Sequence, residues 1–189
     1  MNAYDLPTSI RVGSVICPIR SDFRAVLDIL TAQMDPELDD EAKAFVLLRI
    51  LYEQPDQIPP DHLQEAYEKA VAFIDAGMKD NGKPSPRLMD WEQDAPLIIP
   101  AVNRVAGTEI RALQYLHWWT FLGYYMEIGE SYFSSVLDIR IKKSKKKKLE
   151  KYEKEFYQEH RNVIDLKMPG SERSEEEKEE LRKLFGLTK

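Results

Sequence analysis

The chain has 189 residues, with 27 Lys and Arg against 33 Asp and Glu, a net charge of −6, and a single cysteine. That length fits one domain, or one domain with an appendage, large enough to fold without a disulfide or metal staple; the lone Cys17 excludes a disulfide framework and a cysteine-rich zinc site. No apolar run approaches the ~18 residues a membrane helix needs, and Met1–Asp5 lacks the basic and apolar regions of a signal peptide, so no membrane partner and a reducing cytoplasm are expected.

In chain order, residues 8–20 read as a β-hairpin. Ile10, Val12, Val15 and Ile16 flank Gly13-Ser14, which suits a type II′ turn, and Pro18 should limit further pairing. Ser21 or Asp22 caps a helix carrying Phe23, Val26, Leu27 and Leu30 at three- and four-residue spacing. Met34-Asp35-Pro36 closes it. A second helix starts near Asp39 or Asp40, with Ala44, Phe45, Leu47, Leu48 and Leu51 as its apolar face. Beyond Pro55 and Pro59-Pro60, helical spacing resumes over 61–76 with Leu63, Ala66, Tyr67, Ala70, Val71 and Ile74, and Gly77 is a candidate C-cap. Residues 80–86 form the clearest loop.

Asp94 can cap a helix from Ala95 to about Ala106, with Pro96 in its first turn and Pro100 kinking it. After Gly107, Thr108 is expected to cap a long helix over 109–126. Two more helices follow, over 131–143 and from Lys146 to about Arg161. Ser174-Glu175-Glu176-Glu177 fits a capping box for a last helix. The expected fold is therefore mainly α: a multi-helix globular domain over residues 1–167 with a short N-terminal β-hairpin, then a linker and C-terminal acidic helix over 168–189.

Known chemistry is sparse. His62, His117 and His160 form no metal-ligand spacing. Asp35, Glu37 and Asp39 imitate the start of a calcium loop, but Asp40 and Val46 stand where glycine and glutamate are required; acidic helix capping explains them better. Asp90 and Glu92 read as exposed loop carboxylates. No phosphate-binding glycine loop, nucleophile elbow or dinucleotide fingerprint occurs. The expectation is a protein without catalytic residues, cofactor or metal, and not an enzyme.

Two features stand out. His117-Trp118-Trp119-Thr120-Phe121-Leu122-Gly123-Tyr124-Tyr125 places apolar groups nearly all round a helix. Trp118, Leu122 and Tyr125 share one side, and Leu116, Trp119 and Gly123 another. Core packing is one reading; a partner-binding patch of Trp118, Trp119, Phe121, Tyr124 and Tyr125 is the other. The second feature is the run Lys142, Lys143, Lys145, Lys146, Lys147 and Lys148. Residues 140–154 hold nine basic and two acidic side chains, whereas residues 1–94 hold nine basic and eighteen acidic. The run can be a solvated helix junction relieved by Glu150, Glu153 and Glu155, a contact for an acidic surface, either the N-terminal half or the Glu175–Glu180 run, or a phosphate contact. With few aromatics inside it, single-stranded nucleic acid is the weaker partner.

His117-Trp118-Trp119-x-Phe121, followed by Asp138-x-Arg140, the lysine run and Leu149-Glu150-x-Tyr152-Glu153-x-Glu155-Phe156-Tyr157, resembles the phage and prophage family known as bacteriophage gene product fifteen, of tailed phages of Gram-positive bacteria. The resemblance spans about residues 8–167 and is strongest over 113–157. It implies a gene in the tail module, close upstream of the tape-measure gene, where tail assembly chaperones are usually encoded. Such chaperones keep tape-measure helices soluble, recruit tail-tube subunits and are absent from the finished virion. The expected function is thus tail morphogenesis in the host cytoplasm, with the tape-measure protein, the tail-tube protein, or both, as partners and homo-oligomers open. A structural virion component, such as a connector or tail-completion protein, and a nucleic-acid-binding accessory are the competing readings. Consecutive lysine codons at 145–148 can also create a slippery adenine run and a frameshifted product.

Overall fold

The computed structural model describes residues 5–78 and 86–167, with positions 174 and 176. The linker and helix expected over 168–189, and most of the loop expected over 80–86, lie outside the described residues. The protein is mainly α with one N-terminal hairpin, and its chain gathers into two compact units. Of the described residues, 5–78 and His117–Trp119 form the first, and 86–116 with 120–167 form the second.

In the first unit, strands β1 (Ser9–Val12) and β2 (Val15–Pro18) pair antiparallel, with Val12 opposite Val15. Gly13 takes φ +55° and Ser14 does not share the positive sign, as a II′ turn requires. Alternation sends Ile10 and Val12 inward and leaves Ser9 and Arg11 exposed. Pairing does not stop at Pro18. The Ile19 N–H donates to the Thr8 carbonyl at 3.0 Å, and Ile19 bridges Tyr52. A proline removes only its own donor, so the next residue resumes the ladder.

Helix α1 (Phe23–Gln33) is capped by Asp22, whose carboxylate accepts the Arg24 N–H at 3.0 Å. Phe23, Val26 and Ile29 are its buried face; Leu27 and Leu30, expected inside, are half-buried. Asp39 caps α2 (Asp40–Leu51) through the Ala42 N–H at 2.8 Å. Its inner face is Ala42, Val46, Leu47 and Leu51, which corrects the expected one: Phe45 is 48% exposed, under the Arg49 guanidinium. The stripe runs from Ala42 and Val46 round to Leu47 and Leu51, the side of the helix away from Phe45.

Two 3-10 helices, Pro55–Gln57 and Pro60–His62, lead into α3 (Leu63–Ile74). Ala66, Ala70, Phe73 and Ile74 are buried, while Leu63, expected on the apolar face, lies exposed at the first position. Left-handed backbone at Ala76 and Gly77 ends α3, and the Gly77 N–H returns to the Ala72 carbonyl at 3.1 Å.

The second unit begins with α4 (Ala95–Ala106), which keeps Pro100 inside it and ends at left-handed Gly107. The long helix expected over 109–126 does not form. A 3-10 helix at Ile110–Ala112 and extended backbone at Leu113 precede a shorter α5 (Trp118–Met126). Local acceptors explain the break. The Ile110 N–H goes to the Asn103 side chain at 2.9 Å, Arg111 N–H to Glu109 at 3.1 Å, and Trp119 N–H to the His117 ring at 3.0 Å. The Trp118 N–H, in the first unit, donates to the Ser21 carbonyl at 2.7 Å. Donors used this way cannot also build helical turns.

Ser131 and Ser134 form a capping box for α6 (Tyr132–Ser144). The helix expected from Lys146 starts instead at Lys151, giving α7 (Lys151–Glu159) and the short α8 (Arg161–Ile164). Val136, Ile139 and Ile164 form the core between α6 and α8, with Leu97, Leu149, Phe156, Tyr157 and Val163 packed against it.

Candidate functional site

The aromatic segment is largely internal. Trp118 is 2% exposed and its indole N–H donates to the Ile74 carbonyl at 2.7 Å. Trp119 is half-buried, donates to the Phe73 carbonyl at 2.8 Å and stacks on the Phe73 ring. The two indoles thereby donate to the last carbonyls of α3, where the Phe73 carbonyl also accepts the Ala76 N–H at 3.0 Å. Phe121 is fully buried beside Trp91. Tyr125 is half-buried against Trp91 and Phe133, and its hydroxyl donates to the Met89 sulfur at 3.1 Å. Burial, and secondarily the Asp94 charge, push its pKa up. Tyr124 is half-buried. Trp118 and Phe121 thus offer no surface to a partner, and Leu116, expected on the same helix, precedes it.

The lysines divide into two kinds. Lys142 pairs with Glu153 across α6 and α7; this bond, then the Glu150 backbone N–H, holds the Glu153 carboxyl below its ordinary range. Lys143 reaches Asp165 at 2.5 Å and lies 3.8 Å above the Tyr157 ring. These two fasten the end of α6 to the chain that follows. Lys145, Lys146, Lys147 and Lys148 are exposed and make no ion pair with any described residue. They occupy a turn in which Lys146 has φ +52° and the Lys147 N–H returns to the Lys142 carbonyl at 2.8 Å. The turn is the C-terminal stop of α6, in a left-handed form usually taken by glycine.

Beside this turn, α6 and α7 leave an open groove of about 480 Å³. Ile139 and Phe156 floor it, Asp138, Glu155 and Glu159 rim it, and Tyr152, 68% exposed, stands at its side. Tyr152 belongs to the family-like motif but was not among the expected partner-binding residues; its four-residue step to Phe156 puts both on one face of α7. The ring of Phe156 lies 5.5 Å from Tyr132 and 4.5 Å from His160.

Asp90 and Asp94 differ from expectation. Asp90 is 8% exposed, pairs with Arg87 and accepts the backbone N–H groups of Glu92 and Gln93, so it is not an exposed loop carboxylate. Asp94 was expected to cap α4. Its side chain instead accepts the Asp90 N–H at 2.9 Å and two bonds from Arg140, at 2.6 and 2.9 Å. Arg140 also donates to the carbonyls of Leu88, Val163 and Ile164, so all five of its N–H groups have acceptors. Both partners are buried. The Asp138-x-Arg140 spacing marked the arginine, but no sequence signal linked it to Asp94. Among the described residues, no group of three His, Cys, Asp or Glu side chains is placed to hold a metal, and no helix is long and apolar enough to cross a membrane.

The family model described as Bacteriophage Gp15 protein matches residues 4–166. No curated protein and no solved structure matches the chain.

Proposed function

The chain belongs to the Bacteriophage Gp15 protein family, a phage family with a structural or morphogenetic role, and from that premise we propose that it is a non-enzymatic tail assembly chaperone. It acts in the host cytoplasm on the tape-measure protein, the tail-tube protein, or both, and is left out of the finished virion. The observation that carries this reading is the outer surface of the α6–α7 pair. Four lysines that pair with no described residue stand on a turn beside an acid-rimmed groove with an aromatic wall. Such a surface suits reversible contact with charged amphipathic helices, which a tape-measure chaperone must bind and release. With Trp118 and Phe121 enclosed, the partner surface is assigned here instead of to the α5 aromatics.

Co-expression with the neighbouring tape-measure and tail-tube proteins tests it. The expected result is co-purification or a gain in tape-measure solubility; neither would sink the chaperone role. Mass spectrometry of purified virions separates the structural alternative, in which the protein is retained in particles. The exposed Lys145–Lys148 turn also favours a second reading, phosphate binding. In that case the parent binds DNA or RNA in a salt-sensitive way and replacing the four lysines by glutamine abolishes it.

A further inference from the structure

The lysine turn and the acid-rimmed groove lie on the same helix pair but present opposite chemistries. Tyr152 and Glu159 fall on one flank of α7 and Lys154 on the other, with Lys151 and Glu155, four residues apart, along the line between them. Neither set is neutralised by another described residue. Asp138, Glu155 and Glu159 are exposed and, like the four lysines, form no ion pair with a described residue. The groove has the makings of a lysine receptor: carboxylates on the rim, and the rings of Phe156 and Tyr152 for the aliphatic stem and charged head. The chain already uses this combination internally. Lys143 sits 3.8 Å over the Tyr157 ring while its ammonium pairs with Asp165 at 2.5 Å.

We propose that the α6–α7 groove receives the Lys145–Lys148 turn of a second copy of this chain, forming a head-to-tail self-contact. Because donor and acceptor surfaces are different patches, every bound copy still offers one of each. The contact therefore propagates into a ring or an open filament instead of stopping at a symmetric dimer. Its charged character makes it weak and salt-sensitive, with association favoured at low ionic strength. The inference stands apart from the tail-assembly reading, since it concerns only what the chain does with itself.

The test uses the full chain and two charge-neutralised variants. One carries K145Q, K147Q and K148Q; the other carries D138N, E155Q and E159Q. All six positions are exposed, and circular dichroism confirms that both variants fold. In analytical ultracentrifugation at low salt, the parent is expected to grow beyond the monomer as its concentration rises, and to return to monomer at high salt. Each variant alone should stay monomeric. Mixed together, they should form a 1:1 complex that does not extend, because the groove of the first still accepts the turn of the second. Y152L should weaken parent association by roughly 2- to 5-fold, the loss of one exposed cation–aromatic contact. A parent that stays monomeric at every concentration overturns the proposal, including a monomeric parent that captures a lysine-rich peptide. So does a mixture that yields no heterodimer, or self-association that survives in both variants. A parent that self-associates but fails to solubilise a tape-measure protein would separate this inference from the chaperone role.

Discussion

A guanidinium with an acceptor for each of its five N–H groups has one orientation available to it, and Arg140 is in that state inside the second unit. Its bonds to the Val163 and Ile164 carbonyls hold the end of α8 against α6, while Asp94 supplies the countercharge. Removing that countercharge leaves a buried cation without compensation. Asp94→Ala should therefore lower the unfolding free energy by about 3–5 kcal/mol, read as a drop in urea midpoint. The joint replacement Asp94→Leu with Arg140→Met should recover only part of the loss, since the desolvation cost leaves with the charges but the Leu88, Val163 and Ile164 carbonyls lose their donor. A single variant with an unchanged midpoint would show that the pair is not buried in solution.

Glu65 is the residue whose charge reports most directly on the hairpin. Lys69, the Gly13 backbone N–H and His62 all bond its carboxylate, and together they lower its pKa from 4.5 to about 2. A depressed carboxyl stabilises the fold fully above its unfolded value and loses that contribution as pH falls through its folded value. The parent should therefore lose stability between about pH 4.5 and 2 more steeply than Glu65→Gln does, measured by urea unfolding across that range. Parallel profiles for the two proteins would remove Glu65 from the account.

At the scale of elements, the turn after α6 shows a helix stop built from unusual material. A left-handed residue other than glycine costs about 1–2 kcal/mol, and Lys146 holds that position at φ +52°. Lys146→Gly should raise stability by up to about 1 kcal/mol after the added freedom of the unfolded glycine is allowed for, seen as a higher Tm. An unchanged or lower Tm would mean that the lysine is held there by contacts of its own. Helix starts governed by local chemistry were legible: Asp22 and Asp39 cap the helices they were expected to cap. The break in the 109–126 segment was not. Its helical spacing is sound, but Asn103, Glu109 and His117 draw off the backbone donors, and Trp118 donates to Ser21, nearly a hundred residues away in the chain. Spacing records which faces are apolar and carries no information on where backbone donors go.

Across the whole molecule, the mainly α class, the hairpin and the family were readable because they rest on short patterns. The split into two units was not, because it depends on a three-residue insertion, His117–Trp119, joining residues 5–78 in the first unit. The candidate surface was half readable. The lysine run announced itself by charge, yet the sequence could not separate Lys142 and Lys143, tied to Glu153 and Asp165, from the four that pair with no described residue. The aromatic run announced itself too, and three-dimensional packing turned most of it inward.

That insertion has a consequence for synthesis. Residues 5–78 leave the ribosome about forty residues ahead of the tryptophans that complete them, a lag of roughly 2–8 seconds at ordinary elongation rates. During that interval the α3 carbonyls of Phe73 and Ile74 lack their indole donors, and the Ser21 carbonyl lacks the Trp118 N–H. The amino-terminal unit is thus finished late, by a segment translated after the first part of the second unit, and its folding on the nascent chain is gated by elongation through Trp119.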